Sequence, residues 1–283
     1  KNLRYLNKSE DYLKIQTQGS TIYSFVTLVI ALISGFLFNI NPYLPMIICM
    51  IVCFINILLT YLLYEVPSST ISADNKKDRE IHFSKLVLLL IILFGLFYSM
   101  ITVGQKNSKL FIQLNMQEFL ELDKVAIYIS VMLFVSRLSR LISNLIFLKV
   151  YNKFKNKIIF LFEILLVMAF VLLLVGNFMG RNMISIIVMA LGFFIFLGIR
   201  DPFGNYIQKI LFENSDEKIH DKIINYRNLS RKIFTLIYGL VISGMLVNLS
   251  YAYVMSLLLI LSVLFIVLIV KIYHLLHKNN DKI

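Results

Sequence analysis

Eight stretches of mostly apolar residues run through the chain, each close to the length an α-helix needs to cross a bilayer, and they limit its fold more than any other feature. Spanning the hydrocarbon core takes about 20 such residues. The stretches are Thr21–Ile40 (A), Tyr43–Tyr64 (B), Leu86–Gln105 (C), Val125–Lys149 (D), Ile158–Phe178 (E), Met183–Ile199 (F), Ile233–Leu249 (G) and Tyr251–Ile272 (H). Continuous apolarity, rather than alternation, argues for helices over a β-barrel. The expected fold class is therefore all-α, a polytopic transmembrane helix bundle of about eight spans. F and G are short and run into polar helical flanks. At 59% hydrophobic and 16% charged residues, the chain departs from a soluble domain, which has roughly 45–50% and about 25%. A water-soluble enzyme, a disordered chain and a nucleic-acid binder are excluded on these grounds. Two cysteines in 283 residues exclude a disulfide scaffold. Residues 1–19 are polar and charged, so no cleavable signal peptide is expected there.

Net charge is +12, and in a membrane protein its placement matters more than its sum. With eight spans, segments 1–19, 65–85, 149–157, 200–232 and 271–283 share one side and hold 22 of the 28 Lys and Arg. The opposite side holds Lys106, Lys109, Lys124 and Arg181; Arg137 and Arg140 lie inside D. Basic loops stay in the cytoplasm, which puts both termini inside. Segment Glu65–Ser84 is the longest polar linker and a natural hinge between two groups of helices. Lys106–Lys124 is amphipathic, so C is expected to continue as a helix beyond the membrane. Asp201–Arg231 is a charged cytoplasmic stretch with Pro202 near its start.

Enzyme signatures are mostly absent: no paired-aspartate motif for a prenyl diphosphate, no HExxH, no GxSxG and no Walker loop. No catalytic residue, cofactor or metal site is assigned. His274 and His277 share a helix face but sit beside lysines at a helix end. Cys49 and Cys53, one turn apart in B, read as small apolar packing residues.

The constellation that breaks the local rules is Ser136-Arg137-Leu138-Ser139-Arg140-Leu141-Ile142-Ser143-Asn144 in D. Arg137 is close to mid-span, and each buried arginine costs about 2.5–3.5 kcal/mol on insertion scales. Such a helix survives only if protein, water or a ligand covers its polar face. Spacings of three and four put Arg137, Arg140 and Asn144 on one stripe. Two readings fit: a buried ion pair tying helices together, or a site for an anion. Glu163 is the acidic residue within the spans, and Asp201 lies just beyond the inner end of F. Along the helices, Arg140 lies about 14 Å from the inner end of D and Glu163 about 8 Å from that of E. Arg140 is thus expected to reach down to Glu163 as a structural ion pair, with Asp201 further away at the inner surface. Arg137, about 18 Å deep, is left for an acid-bearing solute. On C, Tyr98, Thr102 and Gln105 recur at helical spacing; they either line an aqueous cavity or pack as polar residues between helices.

The spans and loops together resemble the major facilitator superfamily, from its fifth helix to its twelfth. A, the turn Asn41-Pro42-Tyr43-Leu44-Pro45, and B ending in Tyr64-Glu65-Val66-Pro67 resemble helices 5 and 6 and the start of the central loop. D, Lys149–Lys157 and E resemble helix 8, a short basic loop and helix 9. Pro202 to Lys222 and Arg227-Asn228-Leu229-Ser230-Arg231 resemble the loop between helices 10 and 11. The resemblance implies residues 1–64 as the end of an N-terminal half, 65–85 as the central linker and 86–283 as a complete six-helix half. It also implies about four helices encoded upstream of Lys1, with a natural eight-helix protein as the alternative. A would lie near D and G, while B, E and H face lipid.

By the same resemblance the protein is a secondary transporter of the cell membrane. It would move a small solute, anionic or drug-like, by alternating access, with protons or sodium as the coupling ion. Arg137, Arg140, Asn144, Tyr98, Thr102 and Gln105 would meet the solute. The partners expected are the lipid bilayer, a small-molecule solute and that ion, and no nucleic acid. The rival class is a membrane enzyme or assembly factor working through Asp201–Arg231.

Overall fold

A computed structural model describes residues 11–41, 43–62, 83–118, 120–180, 182–216 and 219–280. Among these residues the chain is helical and no strand is present. The helices are α1 (Tyr12–Ile40), α2 (Leu44–Leu62), α3 (Lys85–Gln117), α4 (Leu122–Phe154), α5 (Ile158–Phe178), α6 (Met183–Glu213), α7 (His220–Asn248) and α8 (Tyr251–Asn280). Six stretches are long and apolar enough to cross a membrane: Leu44–Leu62, Lys85–Gln117, Val131–Phe178, Met183–Glu213, His220–Val247 and Tyr251–His277. The third takes in most of α4 and all of α5. This is the build of an integral membrane protein. The hinge expected at 65–85 lies outside the described residues, except for its last three.

Local chemistry sets the helix ends. Ser84 caps α3 by accepting from the Val87 amide, and Asn182 caps α6 by accepting from Ser185 N at 2.8 Å. Lys155 holds φ 46, a left-handed turn that stops α4 and feeds a 3-10 turn into α5. As expected, C runs on as a helix, through Gln117. The polar flanks of F and G are also helical: α6 continues twelve residues past Asp201 and α7 begins at His220.

α6 is the hub of the bundle and packs against α3, α4 and α5, while α3 also packs on α7 and α5 on α8. In lipid, helices associate through close van der Waals contact, which small residues permit. A Cβ on Gly192 of α6 would stand 2.7 Å from the Ala169 carbonyl oxygen of α5, so only glycine lets these backbones meet. At the bundle centre Phe203 stacks on Phe97 at 4.1 Å and takes Phe162 edge-on at 5.7 Å, joining α3, α5 and α6. Each such aromatic pair adds about 0.5–1.5 kcal/mol.

α1 leans on α4, as expected, and makes its other contacts chiefly with α6 rather than α7. Its foot is pinned by Tyr12, edge-on to Phe212 at 5.4 Å. Burial there pushes the Tyr12 phenol up to about 12, against the lowering influence of the Arg227 guanidinium. α2 buries none of its residues. Cys49 and Cys53, read as packing residues, are exposed on it. α5 and α8 each keep an apolar outer face, with Ile164, Val175, Ile260 and Val267 exposed.

Candidate functional site

The polar residues of five helices meet at one level. From the helix ends on the side of the α6–α7 connection, Ser24, Tyr98, Arg140, Asp201 and Arg231 all lie about 17–21 Å along their helices. α6 has 31 residues, so this level falls near its middle. The chain folds so because α6 does not end at Pro202. A proline lacks the N–H that would bond the carbonyl four residues back, here that of Gly198. Ser143 of α4 supplies the missing donor: its hydroxyl donates to Gly198 O at 2.7 Å. Ser139 donates to Phe194 O at 3.2 Å one turn further along. The two serines beside the arginine stripe thus clamp α4 to α6 at the proline.

Asp201 is the focus. Arg140 donates from Nε to its Oδ2 at 2.5 Å, and Asn144 Nδ2 donates to the same oxygen at 3.3 Å. Arg200 Nε reaches its Oδ1 at 3.4 Å. α1 closes the cluster from outside. Asn144 also donates to Ser24 Oγ at 3.0 Å, Asn205 donates to Ser20 Oγ at 3.1 Å, and the Tyr23 ring lies 4.8 Å from the Arg140 guanidinium carbon.

The expected pairing of Arg140 with Glu163 is not formed. Glu163 is buried on α5, and neither of its carboxyl oxygens has a partner among the described residues. Depth explains the correction. Glu163 lies about 8 Å from its helix end and Arg140 about 21 Å from its own, too far apart for one side chain to bridge. Asp201, expected at the surface, lies about 18 Å along a helix that outruns its apolar stretch.

Arg200 and Asp201 are consecutive, so their side chains leave α6 about 100° apart. Asp201 turns toward α4 and α1, while Arg200 turns toward α3 and α7. On that second side Arg200 Nη1 donates to Gln105 Oε1 at 3.4 Å. A cleft of about 680 Å³ opens there, lined by Tyr98, Thr102, Arg200, Arg231, Lys232 and Thr235 among others. The candidate residues therefore divide. Tyr98 and Thr102 line the cleft with Gln105 at its edge, Arg140 and Asn144 face Asp201, and the Arg200–Asp201 step joins the two groups. Arg137 is half-buried and near enough to Arg140, Arg200 and Asp201 to feel their charges, but has no ion pair among the described residues.

Arg200, Arg231, Lys232, Ser20, Ser24 and Asn205 are not singled out in the sequence. A signal for two of them exists, because Ser20 and Ser24 recur at helical spacing at the start of span A. Arg231 and Lys232 look like ordinary flanking charge, and only the packing of α7 on α3 gives them a site. Arg137, one turn further along α4, lies close to Arg140 and Arg200, while Arg231 and Lys232 line the cleft, so these five cations have a single ion-pairing carboxylate, Asp201, among the described residues. An excess of positive charge of this kind attracts anions. The chain matches no family model, no curated protein and no solved structure.

Proposed function

We propose that this protein is a secondary active transporter moving a small acid-bearing solute across the cell membrane by alternating access. One observation carries the reading: near the middle of a membrane bundle Asp201 is held by Arg140 and Arg200, and beside it opens a cleft lined by Arg200, Arg231 and Lys232. Charge at that depth is expensive, and intramembrane ionisable groups lie on solute or ion pathways. The resemblance to the major facilitator superfamily supports the same reading. In that scheme α1 and α2 end one half, 65–85 is the central linker and α3 to α8 form the other half. The excess of Lys and Arg on one side favours cytoplasmic termini. A drug-like efflux substrate with an acidic group fits the same site.

Reconstitution into liposomes with an imposed proton or sodium gradient tests it. Gradient-driven accumulation of labelled organic anions, lost when the gradient is collapsed, is the expected result. Absence of coupled flux across a broad solute panel, together with modification of a lipid, would instead establish the membrane enzyme.

A further inference from the structure

We infer that the cleft between α3, α6 and α7 binds an amphiphilic organic anion, its phosphate or carboxylate held by Arg200, Arg231 and Lys232 and its hydrocarbon part lying along Leu236 and Leu240. The inference deepens the transport reading, and rests on it only for the purpose the site serves.

Charge comes first. Three cations from two helices line the cleft and, among the described residues, no acidic one does. Arg231 and Lys232 have no ion pair among the described residues, and Arg200 holds Asp201 Oδ1 only at 3.4 Å while Arg140 holds Oδ2 at 2.5 Å. Like charges gathered in one cleft repel, and an anion relieves this. The Arg231 guanidinium lies 5.3 Å from the centre of the Tyr98 ring. A ring contact of that kind orients a planar fork that matches phosphate or carboxylate with two parallel hydrogen bonds.

The remaining donors sharpen the choice. Thr102 donates to Tyr98 O at 2.8 Å and Thr235 donates to Ser99 Oγ at 2.9 Å, so both hydroxyl hydrogens are committed away from the cleft. A sugar or neutral polyol would leave the three cations without a counter-charge, whereas an anion supplies one. The far side is apolar. Leu236 and Leu240 lie one turn apart on α7 and are 64% and 66% exposed, and a Cβ on Gly239 between them would meet nothing within 4 Å. At about 680 Å³ the cleft is of the size that holds a drug-sized ligand. A free organic anion and an anionic lipid headgroup share the required chemistry.

Calorimetric titration of the purified protein in phosphatidylcholine nanodiscs tests this, with hexyl phosphate as the probe. Hexyl phosphate should bind at least about tenfold more tightly than inorganic phosphate, and hexanol should not bind. Lys232→Glu, at an exposed position, should weaken hexyl phosphate about tenfold or more. Gly239→Phe should abolish binding by filling the open space, with the unfolding temperature unchanged. Equal binding of hexyl phosphate and hexanol, or full affinity in both variants, overturns the site. Repeating the titration in phosphatidylglycerol nanodiscs separates the sources. Competition there identifies a lipid headgroup as occupant and its absence identifies a free solute, and either result supports the site. Binding without gradient-driven flux would remove the transport reading and leave the site. Flux with unaltered binding in Lys232→Glu and Gly239→Phe would do the reverse.

Discussion

Arg140 and Asp201, separated by 61 residues of chain, meet through a single Nε–Oδ2 hydrogen bond of 2.5 Å, with both side chains almost fully enclosed. The pair ties α4 to α6, but its two members are not equivalent. Asp201 has further partners in Asn144 and Arg200, while Arg140 has no second carboxylate among the described residues. Removing one partner of a buried pair leaves an uncompensated charge and costs about 3–5 kcal/mol.

The asymmetry sets an order of effects. Asp201→Asn should destabilise more than Arg140→Gln, because it leaves Arg140 and Arg200 facing each other with Arg137 close by. The double variant should recover much of the loss, since neutral amide groups replace both charges. Urea or thermal unfolding in mild detergent, read by helical circular dichroism, measures the three values. Additive losses in the double variant would mean that the two side chains are not coupled.

A second coupling joins Ser143 to Pro202. Ser143→Ala removes the donor to Gly198 O and leaves a carbonyl of α6 unpaired, at a cost of about 1–3 kcal/mol. Pro202→Ala restores a backbone N–H at the position that ordinarily serves this carbonyl. Added to Ser143→Ala, it should therefore cancel most of the damage. If Pro202→Ala instead deepens the loss, the serine is not acting as the proline's substitute donor.

Much of the architecture is legible in the sequence, because a membrane enforces one rule on every helix. Apolar length fixes where the helices are, and the amphipathic segment after Gln105 marks the extension of α3. Helix ends are less legible, because a helix shielded by its neighbours does not stop where apolarity stops. Pro202 and the charges after it read as a loop, which puts Asp201 at the surface and Glu163 deeper, whereas in the folded chain Asp201 is the deeper of the two. The Arg137, Arg140 and Asn144 stripe is visible from spacing alone. Its partners are not, since the pairing of Asp201 with Arg140, and the placing of Arg231 beside Tyr98, arise from contacts between distant helices.

Glu163 provides an independent check on that depth. Both carboxyl oxygens are buried without a partner among the described residues, and a polar group held so costs roughly 1–3 kcal/mol. Glu163→Leu, of similar volume and with nothing to solvate, should be neutral or stabilising. Combined with Arg140→Ala, Glu163→Gln should give strictly additive unfolding energies, because these two side chains do not meet. A coupling energy above about 0.5 kcal/mol in that cycle would reinstate the pairing expected from the sequence.

Arg137 separates stability from function. It has no ion pair among the described residues and sits beside two like charges, so the folded bundle gains no evident benefit from it. On insertion scales an arginine in a span costs about 2.5–3.5 kcal/mol, and Arg137→Ala should raise the unfolding temperature. The same substitution should abolish gradient-driven accumulation of organic anions if Arg137 meets the solute. Arg137→Lys keeps the charge but loses the planar fork, so it should keep the protein in the membrane and raise the half-saturating concentration of a carboxylate or phosphate solute. A structural role for Arg137 would show the opposite pattern, with Arg137→Ala less stable than the parent protein and Arg137→Lys restoring that stability. Normal transport by Arg137→Ala would remove Arg137 from the solute's path and leave anion recognition to the cations on α6 and α7.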